Sequence, residues 1–256
     1  MAGILFFVRA HYFYATMAKN KKKQKTFLQQ FKKVFLILFF SSMAYLLLCK
    51  WIFPPITVTQ MVSIINGEGM KREFVSWSSI STNVKLAAIA SEDQLFAEHG
   101  GFDWKAIEKS IDPPKQRKKK QRALGAAAST ITQQTAKNVF LWQGSGWGRY
   151  VRKVPELFYT KMIEIIWGKQ RIMEVYLNTI EMGTGIYGIE AAAQNYFHKS
   201  ASKLSAKEAA MIIACLPNPK KFTVVPRSKR VAWRYPQILK QMNNLEGDKD
   251  VAELIQ

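Results

Sequence analysis

The sequence predicts a mainly α-helical domain that follows one membrane-spanning helix near the N-terminus. Several segments after residue 84 carry apolar residues at the spacing of an amphipathic helix, and one long apolar run precedes them. The chain has 256 residues, 48% of them hydrophobic, which suits one folded domain and an anchor. A core of that size needs no disulfide. Cys49 lies in the apolar run and Cys215 in a helix of the domain, so we expect no pairing between them.

The apolar run covers residues 34–53, VFLILFFSSMAYLLLCKWIF, and its only charge is Lys50 near the far end. A run of this length spans the hydrocarbon core of a bilayer, and a lysine at that position reaches the interface. Trp51 and the Pro54-Pro55 pair mark an interface and a helix stop. The alternatives are a buried core helix and the apolar part of a secretory signal. The length of the run and the lack of a small-residue cleavage site argue against both.

A basic arm, residues 1–33, precedes the run and contains no acidic residue; the first acid of the chain is Glu68. Lysine and arginine mark the cytoplasmic side of a membrane helix. We therefore expect the arm in the cytoplasm and residues 56–256 on the outside. Met1 and Met17 are both candidate translation starts.

The net charge of +20 ordinarily points to a nucleic-acid partner, but its distribution argues against one. Much of the excess lies in the cytoplasmic arm, where it attracts anionic lipid headgroups. Much of the rest is a basic run at residues 115–122, KQRKKKQR. Such a run is usually a solvated, mobile loop, and the alternative is contact with lipid phosphates or an anionic substrate. We expect no nucleic acid among the partners.

The rest of the chain divides into a connector at residues 54–83, a helical domain at residues 84–245 and a C-terminal tail at residues 246–256. Ser205 and Glu208 match a capping box, and Pro155 suits the first turn of a helix. The helices that the spacing predicts are Val84–Glu98, Ser129–Phe140, Pro155–Trp167, Lys169–Leu177, Ile186–Tyr196, Ser205–Cys215 and Val231–Leu245.

An acidic pair, Glu92-Asp93, begins the most informative segment of the chain. If residues 84–99 are helical, Glu92, Phe96 and His99 share one face, because they lie four and seven residues apart. A carboxyl group that is partly desolvated there has a raised pKa, which suits a general acid or base. The alternative is an ordinary solvated helix end.

A second polar segment, residues 127–140, reads AASTITQQTAKNVF. Ser129 suits an N-cap, and Ser129, Gln133 and Lys137 then form one stripe along the helix. Amides, hydroxyls and a single cation suit sugar hydroxyls or phosphate oxygens. The alternative is a solvent-facing stripe.

A third segment places Arg149, Arg152 and Lys153 just before a helix whose first turn holds Pro155 and Glu156. The N-terminus of a helix offers free N–H groups and a partial positive charge, so added cations predict a pyrophosphate site. The alternative is a surface charge cluster.

Five runs in this chain resemble the motifs of the peptidoglycan glycosyltransferase family, in the same order and over roughly residues 80–223. The resemblance implies a lysozyme-like, mostly helical fold with a membrane-embedded lobe. It also implies that the chain polymerises the lipid-linked disaccharide-peptide lipid II at the bacterial inner membrane, with the domain in the periplasm. With no second catalytic domain after residue 256, the expectation is a monofunctional enzyme. The runs are EDQLFAEHGGFD at 92–103, STITQQ at 129–134, RKVPE at 152–156, RIMEVYLN at 171–178 and GIEAAAQNYF at 188–197.

The resemblance also implies roles for residues. Glu92 matches the general base that deprotonates the acceptor 4-hydroxyl, which then displaces undecaprenyl pyrophosphate with inversion at the anomeric carbon. Glu156 matches a second acid that orients cations or assists a divalent ion. The cations matched to the leaving pyrophosphate are Lys137, Arg149, Arg152 and Lys153. The remaining matched positions are Asp93, Phe96 and His99 at the cleft, and Ser129, Thr130, Gln133 and Gln134 at the donor site.

Three features depart from the family pattern: Ala127 and Ala128 stand where a glycine is usual and the glycine is Gly125, a basic run is inserted, and Pro155 lies in the third segment. No cofactor is expected to be obligatory. A divalent cation, Mg²⁺ or Mn²⁺, is left open and would be held mostly by carboxylates and substrate, since the three histidines are far apart in sequence.

Two alternatives to the polymerase remain at this point. A lysozyme-like hydrolase also uses a helix-borne glutamate in a sugar cleft. A membrane-tethered scaffold of the cell wall would keep the anchor without the chemistry. The expected partners of the polymerase are lipid II, the growing glycan strand and membrane lipid, and cell-division or elongation proteins are left open.

Overall fold

The structure is a computed structural model, and it describes residues 27–105, 108, 129–143 and 147–256. The basic arm up to residue 26, the basic run at 115–122 and the turn with Gly125, Ala127 and Ala128 lie outside the described residues. The described residues divide into two compact units, one that ends at Cys49 and one that begins at Lys50.

The first unit contains one long helix, α1, at Phe27–Leu48. Its length of 22 residues and its mean hydropathy of 1.8 make it long and apolar enough to cross a membrane. The helix ends before the predicted boundary at Phe53. A turn begins at Cys49, and Pro54 disfavours a helical conformation at the residue before it.

The second unit is mostly helical, as the sequence predicts, with three short strands. Its elements are α2 (Val58–Ile65), β1 (Lys71–Arg72), a 3-10 turn (Trp77–Ser79), α3 (Thr82–Glu92), α4 (Ile131–Phe140), α5 (Trp147–Ile166), α6 (Lys169–Thr179), β2 (Glu181–Gly183), β3 (Ile186–Tyr187), α7 (Ile189–Phe197), a second 3-10 turn (Ala201–Lys203), α8 (Ala206–Ile213), α9 (Lys229–Leu245) and α10 (Lys249–Ile255).

A small sheet joins the start of this unit to its middle. β1 pairs in parallel with β3, and β2 pairs antiparallel with β3. At Gly185 φ is +67°, and a Cβ there would clash with the backbone oxygen of Glu68. The sequence does not predict this sheet, because strands of two or three residues carry no alternating pattern.

The predicted connector and tail each contain a helix. Within residues 54–83, Thr57 and Gln60 form a capping box at the start of α2. Within residues 246–256, α10 packs into the domain through Val251, which is 2% exposed. The ammonium group of the buried Lys85 on α3 donates to the backbone oxygen of Ile255, 3.2 Å away. The last helix is therefore fastened to α3.

The predicted helix at Ile186–Tyr196 begins later than expected. Ile186 and Tyr187 form strand β3, and Gly188, with φ at +85°, is the N-cap of α7. At the start of α8 the expected capping box of Ser205 and Glu208 is present.

The core lies around α3, which packs against α8 and α9 while α4 packs against α5 and α6. Ala87, Ala88, Ile89 and Ala90 on α3 are all fully buried. Small side chains on this helix allow its neighbours to approach closely. The C-terminal end of α3 is thereby held rigidly, and it carries Glu92.

Candidate active site

Helix α3 ends at Glu92, so the prediction of a helix through Glu98 is wrong. Asp93 leaves the helical conformation at φ −163°, because its side chain is engaged elsewhere. Its Oδ2 accepts a hydrogen bond from the backbone N–H of Ile131 (2.9 Å), and its Oδ1 lies 2.8 Å from His99 Nε2. Phe96 is fully buried in the core. Glu92, Phe96 and His99 therefore do not share a helical face.

The Glu92 carboxyl group is half-buried and held by two neutral donors. Ser91 Oγ donates to Oε1 (3.0 Å), and Gln134 Nε2 donates to Oε2 (3.1 Å). Burial raises the pKa of Glu92, and the hydrogen bonds from Gln134 and Ser91 lower it by less. A carboxyl with a raised pKa and a fixed orientation suits proton transfer near neutral pH.

Gln134 is itself oriented by two contacts. Its Nε2 also donates to the backbone oxygen of Ser129 (3.3 Å), while its Oε1 accepts from the Tyr176 hydroxyl (3.3 Å). Burial raises the pKa of Tyr176 well above the usual value, so this hydroxyl stays a donor. Neither Ser91 nor Tyr176 is predicted from the sequence as a site residue, although Tyr176 lies in the fourth family run.

The N-cap of α4 is Thr130, and the prediction of Ser129 as the cap is wrong. The Thr130 side chain accepts from the Gln133 N–H, and the Gln133 side chain accepts from the Thr130 N–H. Thr130 Oγ1 also donates to the backbone oxygen of Gly101 (2.7 Å). Because Gln133 is only 3% exposed and used by the cap, the predicted stripe of Ser129, Gln133 and Lys137 does not form.

The cations of the third segment lie inside α5, which begins at Trp147. The prediction that they precede a helix N-terminus is therefore wrong, and Pro155 lies in the helix interior. The Arg149 side chain lies outside the described part of the chain.

The buried Glu156 binds two of these cations. Its Oε2 accepts from Arg152 Nε (3.3 Å), and its Oε1 accepts from Lys153 Nζ (2.6 Å). Arg152 also donates to the backbone oxygen of Trp142 (2.8 Å). Both oxygens of Glu156 thus face cations, an arrangement that fits an anchor for Arg152 and Lys153 and does not fit a metal ligand.

Lys137 interacts electrostatically with this pair of cations and with Glu92. Burial lowers the pKa of Lys137, and the nearby charge of Arg152 lowers it further, while the charges of Glu156 and Glu92 raise it. The charge of Lys137 is therefore influenced both by the ionic group around Glu156 and by Glu92. Lys137 and Gln134 line a cavity of about 590 Å³, whose other walls come from α2, residues 179–181, Tyr187 and residues 216–220.

The loop after Glu92 is fixed by a second ionic group. Lys169 Nζ donates to Glu164 Oε1 (2.8 Å) and to the backbone oxygen of His99 (2.5 Å), and Thr132 Oγ1 donates to Glu164 Oε1 (2.5 Å). Gly101 lies against this group at φ +94°. A Cβ on Gly101 would lie 2.8 Å from Glu164 Cγ.

Gly101→Ala is expected to destabilise the protein by about 1–3 kcal/mol, because alanine is strained at this φ and displaces Glu164. Thermal unfolding of the purified protein measures the effect. Gly100→Ala is the matched control, since a Cβ at the adjacent Gly100 meets no atom within 4 Å. Equal melting temperatures for the two variants would contradict the expectation.

Comparison with known proteins identifies the family of this chain. The family model described as Transglycosylase matches residues 58–243. A protein of Bacteroides thetaiotaomicron named biosynthetic peptidoglycan transglycosylase is 44% identical over 216 residues, which are 81% of this chain and 84% of that protein. A protein of Bdellovibrio bacteriovorus with the same name is 44% identical over 82% of this chain and 83% of its own.

A protein of Escherichia coli, also named biosynthetic peptidoglycan transglycosylase, is 49% identical over 176 residues, which are 69% of this chain and 70% of that protein. The family model covers the residues of the site described above, from Ser91 to Tyr176. The chain therefore belongs to the transglycosylase family, whose activity here is that of a peptidoglycan glycosyltransferase.

Proposed function

We propose that this enzyme polymerises lipid II into glycan strands and releases undecaprenyl pyrophosphate, with Glu92 as the general base. The observation that carries the proposal is the placement of Glu92. A half-buried carboxyl group with a raised pKa is oriented by Ser91 and Gln134, beside a lysine that lines a cavity. The site thus combines a group for proton transfer with a cation for anion binding, and glycosyl transfer from a pyrophosphate requires both.

In the proposed reaction an ionised Glu92 accepts the proton of the acceptor 4-hydroxyl. The hydroxyl oxygen forms a bond to C1 of the terminal sugar of the growing strand, and the bond from C1 to the pyrophosphate oxygen breaks. Attack from the opposite face inverts the anomeric carbon. The proton on Glu92 returns to solvent after the product moves on.

The leaving pyrophosphate gains negative charge as the bond to C1 breaks. Lys137 is the cation of this scheme that lines the cavity and interacts with the charge of Glu92, and Arg152 and Lys153 extend the positive field. Fixed cations in a partly desolvated site stabilise developing charge more than water does. Arg149, on the same helix, is proposed as a fourth cation of this group.

Glu156 is proposed to position these cations, because it accepts hydrogen bonds from Arg152 and Lys153. The proposal gives Asp93, His99, Thr130 and Gln133 a positioning role as well. No step is assigned to a divalent cation.

The remaining matched residues surround the reacting groups. Phe96 is proposed to support the wall behind Glu92, since it is fully buried. Gln134 is proposed to hold the Glu92 carboxyl group in its orientation. Ser129, whose backbone oxygen accepts a hydrogen bond from Gln134, is proposed to flank the donor sugar.

A gel assay with labelled lipid II and purified, detergent-solubilised protein tests the proposed activity. Ladders of glycan strands support a polymerase. Shortening of preformed strands without ladders would favour the hydrolase, and folded protein that yields no product in either assay would favour a scaffold.

The enzyme is proposed to work at the outer face of the bacterial inner membrane. In this proposal α1 spans the bilayer once, the N-terminus is cytoplasmic and the domain is periplasmic. The absence of acidic residues before Glu68 supports that orientation.

One face of α5 is proposed to rest in the lipid. Along this helix Trp147 is 86% exposed, Val151 65%, Val154 73% and Ile165 64%. On α2, Ile65 is 81% exposed. Apolar residues exposed together in this way mark a contact with a membrane or a partner.

A fluorescent label tests the lipid contact in proteoliposomes of the full chain. Val154→Cys carrying an environment-sensitive dye is expected to show blue-shifted emission, quenched several-fold by nitroxide lipids, because apolar residues enter the interface. Lys207→Cys, at an exposed polar position on α8, is the control and should be quenched much less. Equal quenching at the two positions would contradict the proposed contact.

A further inference from the structure

Arg234 is a buried cation in an apolar stripe of α9. Its neighbours along the stripe are Val231, Ile238 and Met242, all buried, and Arg234 itself is 7% exposed. Its guanidinium donates one long hydrogen bond, from Nη2 to the backbone oxygen of Ser91 (3.4 Å). Within the described part of the chain no acid lies within salt-bridge distance of it.

A buried guanidinium without an anion is costly, so its charge needs compensation. The next residue after Ser91 is Glu92, a carboxyl that also has no salt-bridge partner among the described residues. Glu92 is the acid whose charge acts on Arg234, and the two groups stabilise each other's charged forms through space. A buried cation thus binds the backbone oxygen of the residue that precedes a half-buried carboxyl group.

We propose that Arg234 is a positioning residue for glycosyl transfer, a buried cation that keeps the Glu92 carboxyl ionised and ready to accept a proton. The proposal rests on the proposed role of Glu92 as the base. It adds a residue from α9, which lies 143 positions beyond Ser91 in sequence and outside the acid-bearing segment.

The other groups that face Glu92 do not replace Arg234. Asp93, next in the chain, adds negative charge that raises the pKa of Glu92. Tyr176 on α6 and Cys215 after α8 are neutral, because burial raises the pKa of both groups. Among the described residues, the other cation that interacts with the charge of Glu92 is Lys137 on α4.

Lys137 and Arg234 differ in where they lie. Lys137 lines the cavity, so a bound pyrophosphate shares its charge, whereas Arg234 is not among the lining residues. The charge of Arg234 therefore stays available to Glu92 while substrate is bound. In this arrangement Lys137 stabilises the leaving group and Arg234 stabilises the ionised base.

The pH dependence of kcat/KM for labelled lipid II tests the proposal. Arg234→Gln keeps a donor for Ser91 and removes the charge, so its acidic limb is expected to move to higher pH by about one unit. That shift is a loss of about tenfold on the limb and little loss above it. Arg234→Lys is expected to keep the wild-type limb, and Arg230→Met, at an exposed site on the same helix, serves as the control.

A purely structural role would lower activity by the same factor at every pH, and that result would overturn the proposal. So would equal limb shifts in Arg234→Gln and Arg234→Lys. Both outcomes leave the proposed function untouched, because that function is tested separately by the gel assay of the wild-type protein with labelled lipid II.

A double-mutant cycle, measured by thermal unfolding, tests the proposal when Arg234→Gln lacks activity. Arg234→Gln is expected to lower the melting temperature less in the Glu92→Gln background than in the wild type, because the neutral amide no longer needs a cation. Additive shifts in melting temperature would overturn the pairing. This measurement does not depend on the role of Glu92 in catalysis.

Discussion

Glu92→Gln is expected to lower glycan polymerisation by about 10³-fold and to leave the fold intact, because a general base contributes on the order of 10²–10⁴ in rate. The amide has nearly the same shape as the carboxyl but cannot accept the proton. Its oxygen still accepts a hydrogen bond from Ser91 or Gln134. The rate of ladder formation from labelled lipid II measures the effect.

Glu98→Gln is the matched control for this variant. Glu98 is an exposed acid on the loop that follows, and its replacement is expected to leave the rate unchanged. A Glu92→Gln enzyme that forms ladders at the rate of the control would exclude Glu92 as the base.

Glu92→Gln also tests the environment of the Glu92 carboxyl group, through the pH dependence of the melting temperature. Burial raises the pKa of Glu92, so the folded state binds this proton more tightly than the unfolded chain does. Stability of the wild type therefore falls as pH rises from the ordinary carboxyl pKa through the raised one. Glu92→Gln lacks this loss, so its melting temperature relative to wild type is expected to increase from acidic to neutral pH.

Asp93→Ala is expected to destabilise the domain by about 3 kcal/mol, because both carboxylate oxygens are used in the interior. The change leaves the Ile131 N–H at the start of α4 without its acceptor and removes the partner of His99. For a domain of this size that loss lowers the melting temperature by roughly 6–12 °C. Thermal unfolding measures it.

Glu73→Ala, at an exposed acid, is the control for Asp93→Ala and is expected to unfold within about 2 °C of wild type. A melting temperature for Asp93→Ala in that same range would show that the contacts of Asp93 contribute little. Activity is expected to fall as well, because the first turn of α4 carries Gln134, the residue that orients Glu92.

The helical class, the capping box at Ser205 and the importance of the segment that begins at Glu92 could be predicted from the sequence. The end of α3 could not, because the partner of Asp93 is Ile131, 38 residues further along. Helical spacing describes neighbours in sequence and contains no information about such a contact. The short strands escaped prediction for a related reason, since their pairing joins Lys71 to Ile186.

Two details could have been predicted from local rules. Thr130 and Gln133 have the three-residue spacing of a capping box, which identifies Thr130 as the cap in preference to Ser129. Arg234 occupies an apolar position between Val231 and Ile238, and a charge in such a stripe indicates a buried ionic group. The interior position of Pro155 was not predictable, because α5 is stabilised by packing against α4.

The contact between Arg234 and Ser91 has a consequence for the nascent chain. Glu92 is synthesised early, whereas Arg234, which binds the backbone of the preceding residue, is added 143 residues after Ser91. A partly synthesised chain that ends before α9 contains every cation of the third segment but lacks the charge behind Glu92. The reactive carboxyl therefore reaches its final electrostatic state only when nearly the whole domain has emerged from the ribosome.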